Sequence, residues 1–290
     1  MEHLTPDTAS LLDKSTDERI QDLAKEKWIG HTQAQIILQH LAHLHHGPPV
    51  DQDAMNLLII GEPGSGKTSV LRHYASAHKP SGNGFPVLFI KLADGPKESA
   101  LYETLLDVLH SSYPPRASVK DKRSQLLSVL KTSQVQMIFI DEIHHMLLGS
   151  AMQQRNFLAG LKTLVNELSI PLVCAGVESA HNAICLDEQV GRRFEVARLP
   201  GWSMDRDYLR LLASFERILA LRKPSNLVDQ ALAFKLLELS RGSIGRLGRI
   251  LKLAAIHAVK TGVECITIKG LKDMNAFPLA DDAQQRSHVR

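Results

Sequence analysis

Gly61-Glu62-Pro63-Gly64-Ser65-Gly66-Lys67-Thr68 matches the pattern G-x-x-x-x-G-K-[ST] at every fixed position. Ahead of it, Asn56-Leu57-Leu58-Ile59-Ile60 is a nearly unbroken apolar run, as a strand buried on both faces requires. Behind it, Ser69 to His78 continues as a helix with Val70, Leu71 and Tyr74 on one side. The stretch therefore joins a strand to a helix, where N–H groups at the helix N-terminus can surround phosphate oxygens. Gly61, Gly64 and Gly66 permit positive φ and a close approach of backbone to ligand. Lys67 supplies a point charge for β- and γ-phosphates, and the Thr68 hydroxyl is a hard oxygen ligand for Mg²⁺. Gly61 through Ser69 is thus the expected cradle for ATP.

A second motif lies downstream. Met137-Ile138-Phe139-Ile140 runs into Asp141-Glu142, an apolar strand ending in two carboxylates at the edge where open α/β sheets bind ligands. Asp141 is placed to hold Mg²⁺ directly or through water, and Glu142 to orient and deprotonate a water aimed at the γ-phosphate. Such a run is weak alone and gains force from the phosphate loop before it. His144 and His145 follow at once and read as a surface pair at a helix start rather than as catalytic groups.

Further strands are expected at Pro86 to Leu92, Ile170 to Gly176 and Phe194 to Leu199, with helices at Glu98 to Leu109, Ser124 to Leu130 and Phe157 to Leu168. This alternation predicts an α/β fold, a parallel five-stranded sheet flanked by helices. After Pro200-Gly201 the character changes. Three amphipathic helices, Asp205 to Leu221, Val228 to Leu239 and Ile244 to Lys260, predict a small helical lid domain, with a strand signal returning only at Cys265-Ile266-Thr267-Ile268. The expected organisation is a mobile arm over 1–16, an α/β nucleotide-binding domain over 17–200, the lid over 201–276 and a flexible tail over 277–290.

Composition constrains without deciding. The chain has 290 residues, 44% of them hydrophobic, and Lys+Arg 34 against Asp+Glu 31 gives a charge of only +3. Any nucleic-acid contact must therefore come from a local patch. Cys174, Cys185 and Cys265 are odd in number and widely spaced, which points to reduced thiols and a cytoplasmic setting. No secretory leader is legible, and no apolar run is long enough to span a membrane.

Two polar stretches stand out. Thr32 to His46 reads as a helix ended by Gly47-Pro48-Pro49, with His40, His43, His45 and His46 crowding its end. No Cys or carboxylate completes a ligand set, and cationic His at a helix C-terminus is favoured anyway, so no metal is expected there. Tyr113 to Arg123 is basic and broken by proline. Its Arg116, Ser118 and Lys120, together with Lys91 and Lys97, form either a phosphate-contacting DNA edge or an ordinary solvated loop.

Taken together, Trp28-Ile29-Gly30 before a helix, the phosphate loop, Ile140-Asp141-Glu142, Ile170-Pro171-Leu172-Val173, Arg192-Arg193-Phe194 and Gly242-Ser243-Ile244-Gly245-Arg246 resemble the AAA+ family. Within it the chain is similar to the TniB/TnsC-like transposition regulators, from about Arg19 to about Leu271. The resemblance implies ATP bound between subunits of a homo-oligomer, ring or helical filament, on double-stranded DNA, linking a transposase to a target-selection protein. It implies Arg193, with Arg192 adjacent, as the finger reaching a neighbour's γ-phosphate, Arg246 as a second sensor, and Trp28 and Ile29 lining the adenine pocket. One position departs. A polar first sensor, commonly Thr, is expected after Gly176, whereas Val177 precedes Glu178 and Ser179 here, which implies slow hydrolysis or a substitute residue. A nucleotide-gated scaffold with negligible turnover and a helicase-loader or remodelling ATPase are the alternatives.

Overall fold

In a computed structural model describing residues 3–46, 56–80, 82, 84–168 and 170–274, the apolar runs become one parallel sheet. Its strands are β1 (Asn56–Gly61), β2 (Val87–Lys91), β3 (Met137–Asp141), β4 (Leu172–Gly176) and β5 (Phe194–Leu199), in the order β2-β3-β4-β1-β5. The helices in chain order are α1 (Pro6–Ser10), α2 (Thr16–Ala24), α3 (Thr32–His46), α4 (Lys67–Ala77), α5 (Glu98–Val108), α6 (Val119–Thr132) and α7 (Ala151–Glu167). After them come α8 (Glu178–Cys185), α9 (Glu188–Gly191), α10 (Arg206–Glu216), α11 (Gln230–Ser240), α12 (Ile244–Thr261) and α13 (Ile268–Met274). The chain forms two compact units, one of residues 33–200 and one of the residues up to 32 with those from 201 onward.

In the 33–200 unit, β3 and β4 are buried along their whole length, as is β1 up to its final glycine, which is why their sequences lack polar alternation. The register pairs Ile60 with Gly176 and Arg198, and Ile140 with Cys174, so the loops after β1, β3 and β4 leave from one edge. Leu58 and Ile60, Ile138 and Ile140, Leu101, Leu105, Leu161 and Leu164 fill the core between strands and helices. Asn56 is a buried polar residue in the first position of β1. Its Nδ2 donates to Arg193 O at 3.0 Å and its Oδ1 accepts from Leu172 N at 3.0 Å, tying β1 to both flanking segments where the ladders begin.

The α6 helix starts earlier than its leucines suggest. Ser118 and Asp121 form a capping box, so Lys120 to Arg123 are helical rather than part of a loop. Lys122 is buried, its Nζ 2.6 Å from Glu103 Oε1 and 5.4 Å from the centre of the Tyr113 ring.

The other unit is built from α2 and α10 to α13 around Leu211, Leu212, Leu236, Leu247 and Leu251. Its membership differs from the expected boundaries, because α2 groups with 201–274 rather than with the sheet. Leu23 packs in that core, and the buried Arg19 makes a forked pair with Glu264, 2.9 Å and 2.6 Å, while also donating to Ala220 O at 2.8 Å. The expected mobile arm is likewise folded over residues 3–16. Thr5 caps α1, Leu4 and Leu12 pack on Ala220, and Arg222 donates to Leu12 O at 2.9 Å. The strand signal at 265–268 is also corrected, since Thr267 accepts from Gly270 N and precedes α13. An apolar β-branched run becomes a strand only beside another strand, and this unit has none among its described residues.

The expected helix stop at Gly47-Pro48-Pro49 and the tail over 277–290 lie outside the described residues. Among the described residues no helix is long and apolar enough to cross a membrane.

Candidate nucleotide site

The phosphate loop leaves β1 at Gly61 and enters α4 at Lys67. Gly64 and Gly66 have φ of 76° and 100°, the left-handed region in which glycine is at no disadvantage. Gly61 is different. Its φ is not positive, and it is small because a Cβ would lie 2.6 Å from Ser65 Oγ and 2.8 Å from Leu199 O. Lys67 is 6% exposed, and its Nζ donates to Gly61 O at 2.7 Å and Glu62 O at 3.0 Å, holding the loop curled over the first turn of α4. Burial pulls the Lys67 ammonium below its ordinary pKa, against the opposing carboxylates of Glu142, Asp141 and Glu62.

Although β4 lies between the strands carrying the two motifs, Thr68 reaches Asp141. Its Oγ1 donates to Asp141 Oδ2 at 2.7 Å, while Asp141 Oδ1 accepts from the Glu142 N–H at 3.0 Å. Asp141 is 1% exposed. Gly176, ending β4, leaves room for the turn after Asp141, since a Cβ there would stand 2.7 Å from Ile143 Cγ2. Thr68 and Asp141 offer oxygen ligands only, as Mg²⁺ demands. Glu142 sits in left-handed backbone, φ 57° and ψ 40°, and begins the 3₁₀ turn Ile143–Leu148. Its Oε2 lies 3.3 Å from His144 Nδ1 without hydrogen-bond geometry. Burial holds the His144 imidazole below its ordinary value despite Glu142 opposing it. His145 instead faces Leu92 O at 3.0 Å and Asp94 at 3.1 Å.

The remaining expected residues are distributed as follows. Arg192 and Arg193 end the turn before β5. The Arg192 side chain is 82% exposed beside Glu188, and Arg193 is half-buried with Nη1 donating to Val165 O at a long 3.4 Å. Arg246, in the first turn of α12, and Trp28 and Ile29 belong to the other unit. There Ile29 packs on the core, and His31, which sequence reading missed, meets Trp202 edge-on at 5.1 Å. Val177 caps α8 without a side-chain bond, Glu178 pairs with Arg198, and Ser179 is exposed. Lys91, Lys97, Arg116, Ser118 and Lys120 are all exposed, but the Ser118 hydroxyl is committed to its capping box, donating to Asp121 Oδ2 at 2.7 Å.

A phosphate loop after β1, an acidic pair at the end of β3 and a helical region beyond the sheet define an AAA+ nucleotide-binding fold. The chain belongs to the TniB family, as the family model of the bacterial TniB protein matches residues 19–204. No curated protein matches it in sequence. Among solved structures, it is similar to the ORC2 protein of Aeropyrum pernix in ADPNP-ADP complexes, with a TM-score of 0.64, 14% identity and coverage of 89% of this chain and 71% of that one. Cdc6p of Pyrobaculum aerophilum matches at TM-score 0.62 and 17% identity over 85% and 68%. The ORC1 protein of Aeropyrum pernix, solved in complex with DNA, matches at 0.59 and 16% over 89% and 68%.

Proposed function

We propose that this chain is an ATP-hydrolysing regulator of DNA transposition that assembles on double-stranded DNA and links a transposase to a target-selection protein. The observation that carries the hydrolytic part is the Thr68 to Asp141 hydrogen bond of 2.7 Å beside a buried Lys67, which joins the two motifs at one edge of the sheet. Membership in the TniB family supports the transposition part and favours it over helicase loading, while the likeness to ORC and Cdc6 structures bears on the fold alone.

In this reading Lys67 and the N–H groups entering α4 hold the β- and γ-phosphates. Mg²⁺, when bound, neutralises charge on the phosphates, and Thr68 and Asp141 are the residues that would hold it. Glu142 takes the proton of a water aimed at the γ-phosphorus. Arg193, with Arg192 adjacent, serves a neighbouring subunit's ATP, the long bond to Val165 O being easily released. For Arg246 the family resemblance supports the role of second sensor, and for Trp28 and Ile29 that of adenine contacts.

Paired variants test this. Lys67→Ala should lose ATP affinity, measured by titration calorimetry, whereas Glu142→Gln should keep it and lose turnover by about 10²- to 10⁴-fold. Mixing Arg193→Ala subunits with Glu142→Gln subunits on duplex DNA should restore part of the activity. A folded Glu142→Gln protein that no longer binds ATP would contradict the assignment. Valine in place of a polar sensor at position 177 favours a second reading, a scaffold whose turnover is negligible, and wild-type phosphate release on DNA decides between them.

A further inference from the structure

Three imidazoles from two helix ends meet at the opposite end of α4 from the phosphate loop, about 16 Å of helix away from Lys67. His45 and His46 are the last residues of α3, and His78 caps the C-terminus of α4. One ligand nitrogen from each lies within 4.8 Å of the other two. The rings of His45 and His46 stack at 4.1 Å, and that of His78 stands 4.9 Å from His45 and 5.9 Å from His46. Read along α3 alone, the histidines lacked a completing ligand. The fold supplies one from α4 and leaves His40 and His43 out of the group.

The surroundings suit a dication. Both helices present their C-terminal carbonyl ends here, where positive charge is favoured. Three imidazolium rings in mutual contact would repel one another, whereas three neutral imidazoles around one metal ion satisfy the same helix ends. The rings are also held from outside. His78 Nδ1 donates to Tyr74 O at 2.9 Å, which leaves Nε2 with its lone pair. His45 Nε2 donates to Gln136 Oε1 at 2.8 Å, which leaves Nδ1 as the electron-pair donor. That nitrogen now accepts from the Tyr74 hydroxyl at 3.0 Å, and the hydroxyl has Leu41 O at 3.4 Å as its other acceptor. Hydrogen bonds from the outward nitrogen to carbonyl groups are what orient metal-binding histidines and fix their tautomers.

We propose that His45, His46 and His78 form a binding site for a transition-metal dication of the Zn²⁺ type, clasping the end of α3 to the end of the phosphate-loop helix. The exposed His46 closes the site on the solvent side, and a water completes a tetrahedral set of three nitrogens and one oxygen. The site is separate from the Mg²⁺ ligands Thr68 and Asp141, whose oxygen donors suit a harder ion.

The test uses the full chain freed of metal by chelation and then saturated with Mg²⁺ and a non-hydrolysable ATP analogue, with a His144→Ala variant as control for Glu142, His144 and His145, the other such cluster among the described residues. Titration with Zn²⁺ should show one equivalent bound, and Co²⁺ should give the visible bands of a tetrahedral nitrogen site. His46→Ala and His78→Ala should each weaken Zn²⁺ by roughly tenfold or more and abolish the Co²⁺ spectrum, with nucleotide affinity unchanged. His46 is exposed, so its variant keeps the fold. Zn²⁺ affinity and Co²⁺ spectrum equal to wild type in the His46→Ala protein, or a site lost only in a His144→Ala protein, would overturn the proposal.

Discussion

Val177 is the residue at which this chain departs from the chemistry its neighbours support. It stands where β4 ends and α8 begins, in extended backbone at φ −102°, and offers no group to a phosphate or a water. The two substitutes that the sequence suggests are differently occupied, Glu178 by Arg198 and His181, Ser179 by solvent. Val177→Thr keeps the side-chain shape, adds one hydroxyl and improves the helix cap. A hydrogen bond of about 1 kcal/mol made only in the transition state corresponds to roughly fivefold in rate, so kcat on DNA should rise by that order with little change in ATP affinity. Phosphate release by the two proteins at saturating ATP measures it, and an unchanged kcat would mean that hydrolysis at this site does not draw on a sensor at position 177. Gly61 is a related case. Its type was legible in the motif, but its reason was not. The motif suggests positive φ, whereas the structure uses the missing Cβ to bring Ser65 and Leu199 close.

At the scale of elements, β1 to β5 and α4 to α7 could be read from apolar runs and periods, whereas the short α8 and α9 went unread. What could not be read was which distant element an isolated segment would join. Residues 4 to 12 show too few apolar positions for a period, yet Leu4 and Leu12 are buried, because Ala220 lies far away in sequence and a single chain offers no sign of that pairing. Asn56 reads as one polar residue in a strand, and only the ladder reveals that it bridges β4 to Arg193. His78 likewise carries no signal until α3 is laid beside it. The Arg19 to Glu264 pair is the clearest instance of such a join, fixing α2 to the helical unit. Burial acts to raise the Glu264 carboxyl, but hydrogen bonds from Arg19 and the Arg222 N–H prevail and hold it below the ordinary value of 4.5. A carboxyl depressed in the folded state contributes stability that is present above its unfolded pKa and lost as pH falls through the folded one. Urea unfolding followed down through pH 4.5 should therefore show the helical unit weakening. Glu264→Gln should remove this part of the acid loss, while costing about 3–5 kcal/mol at neutral pH because Arg19, 2% exposed, keeps its charge without the carboxylate that balances it. Equal acid sensitivity in the two proteins would assign the loss to other carboxylates.

For the whole molecule the question is how a chain of charge +3 would hold duplex DNA, as the proposed function requires. Net charge gives little attraction, so binding must come from a few exposed cations repeated from subunit to subunit, each adding through effective concentration what one copy lacks. Lys91, Lys97, Arg116 and Lys120 are exposed on the sheet-bearing unit and remain the proposed contacts, whereas Ser118 spends its hydroxyl on the cap of α6, and Lys122 of the same stretch is buried against Glu103. Ser118→Ala should accordingly lower helix stability by about 1 kcal/mol and leave DNA affinity at neutral conditions nearly as it was. Cations of this kind meet phosphates rather than base edges, so affinity should be nearly independent of sequence and fall steeply with salt. Neutralising Lys97, Arg116 and Lys120 together should weaken DNA binding in the presence of ATP analogue and flatten the plot of log affinity against log salt by about 0.9 for each phosphate that is no longer neutralised. ATP binding should be spared, because none of the three touches Lys67, Thr68 or Asp141, the groups that converge at the phosphate loop. Fluorescence anisotropy of labelled duplex at several salt concentrations reads both quantities. An unchanged slope would remove this surface and turn attention to α12, where Arg246 and Arg249 stand on the helical unit while Lys252 donates to Ala24 O at 2.7 Å.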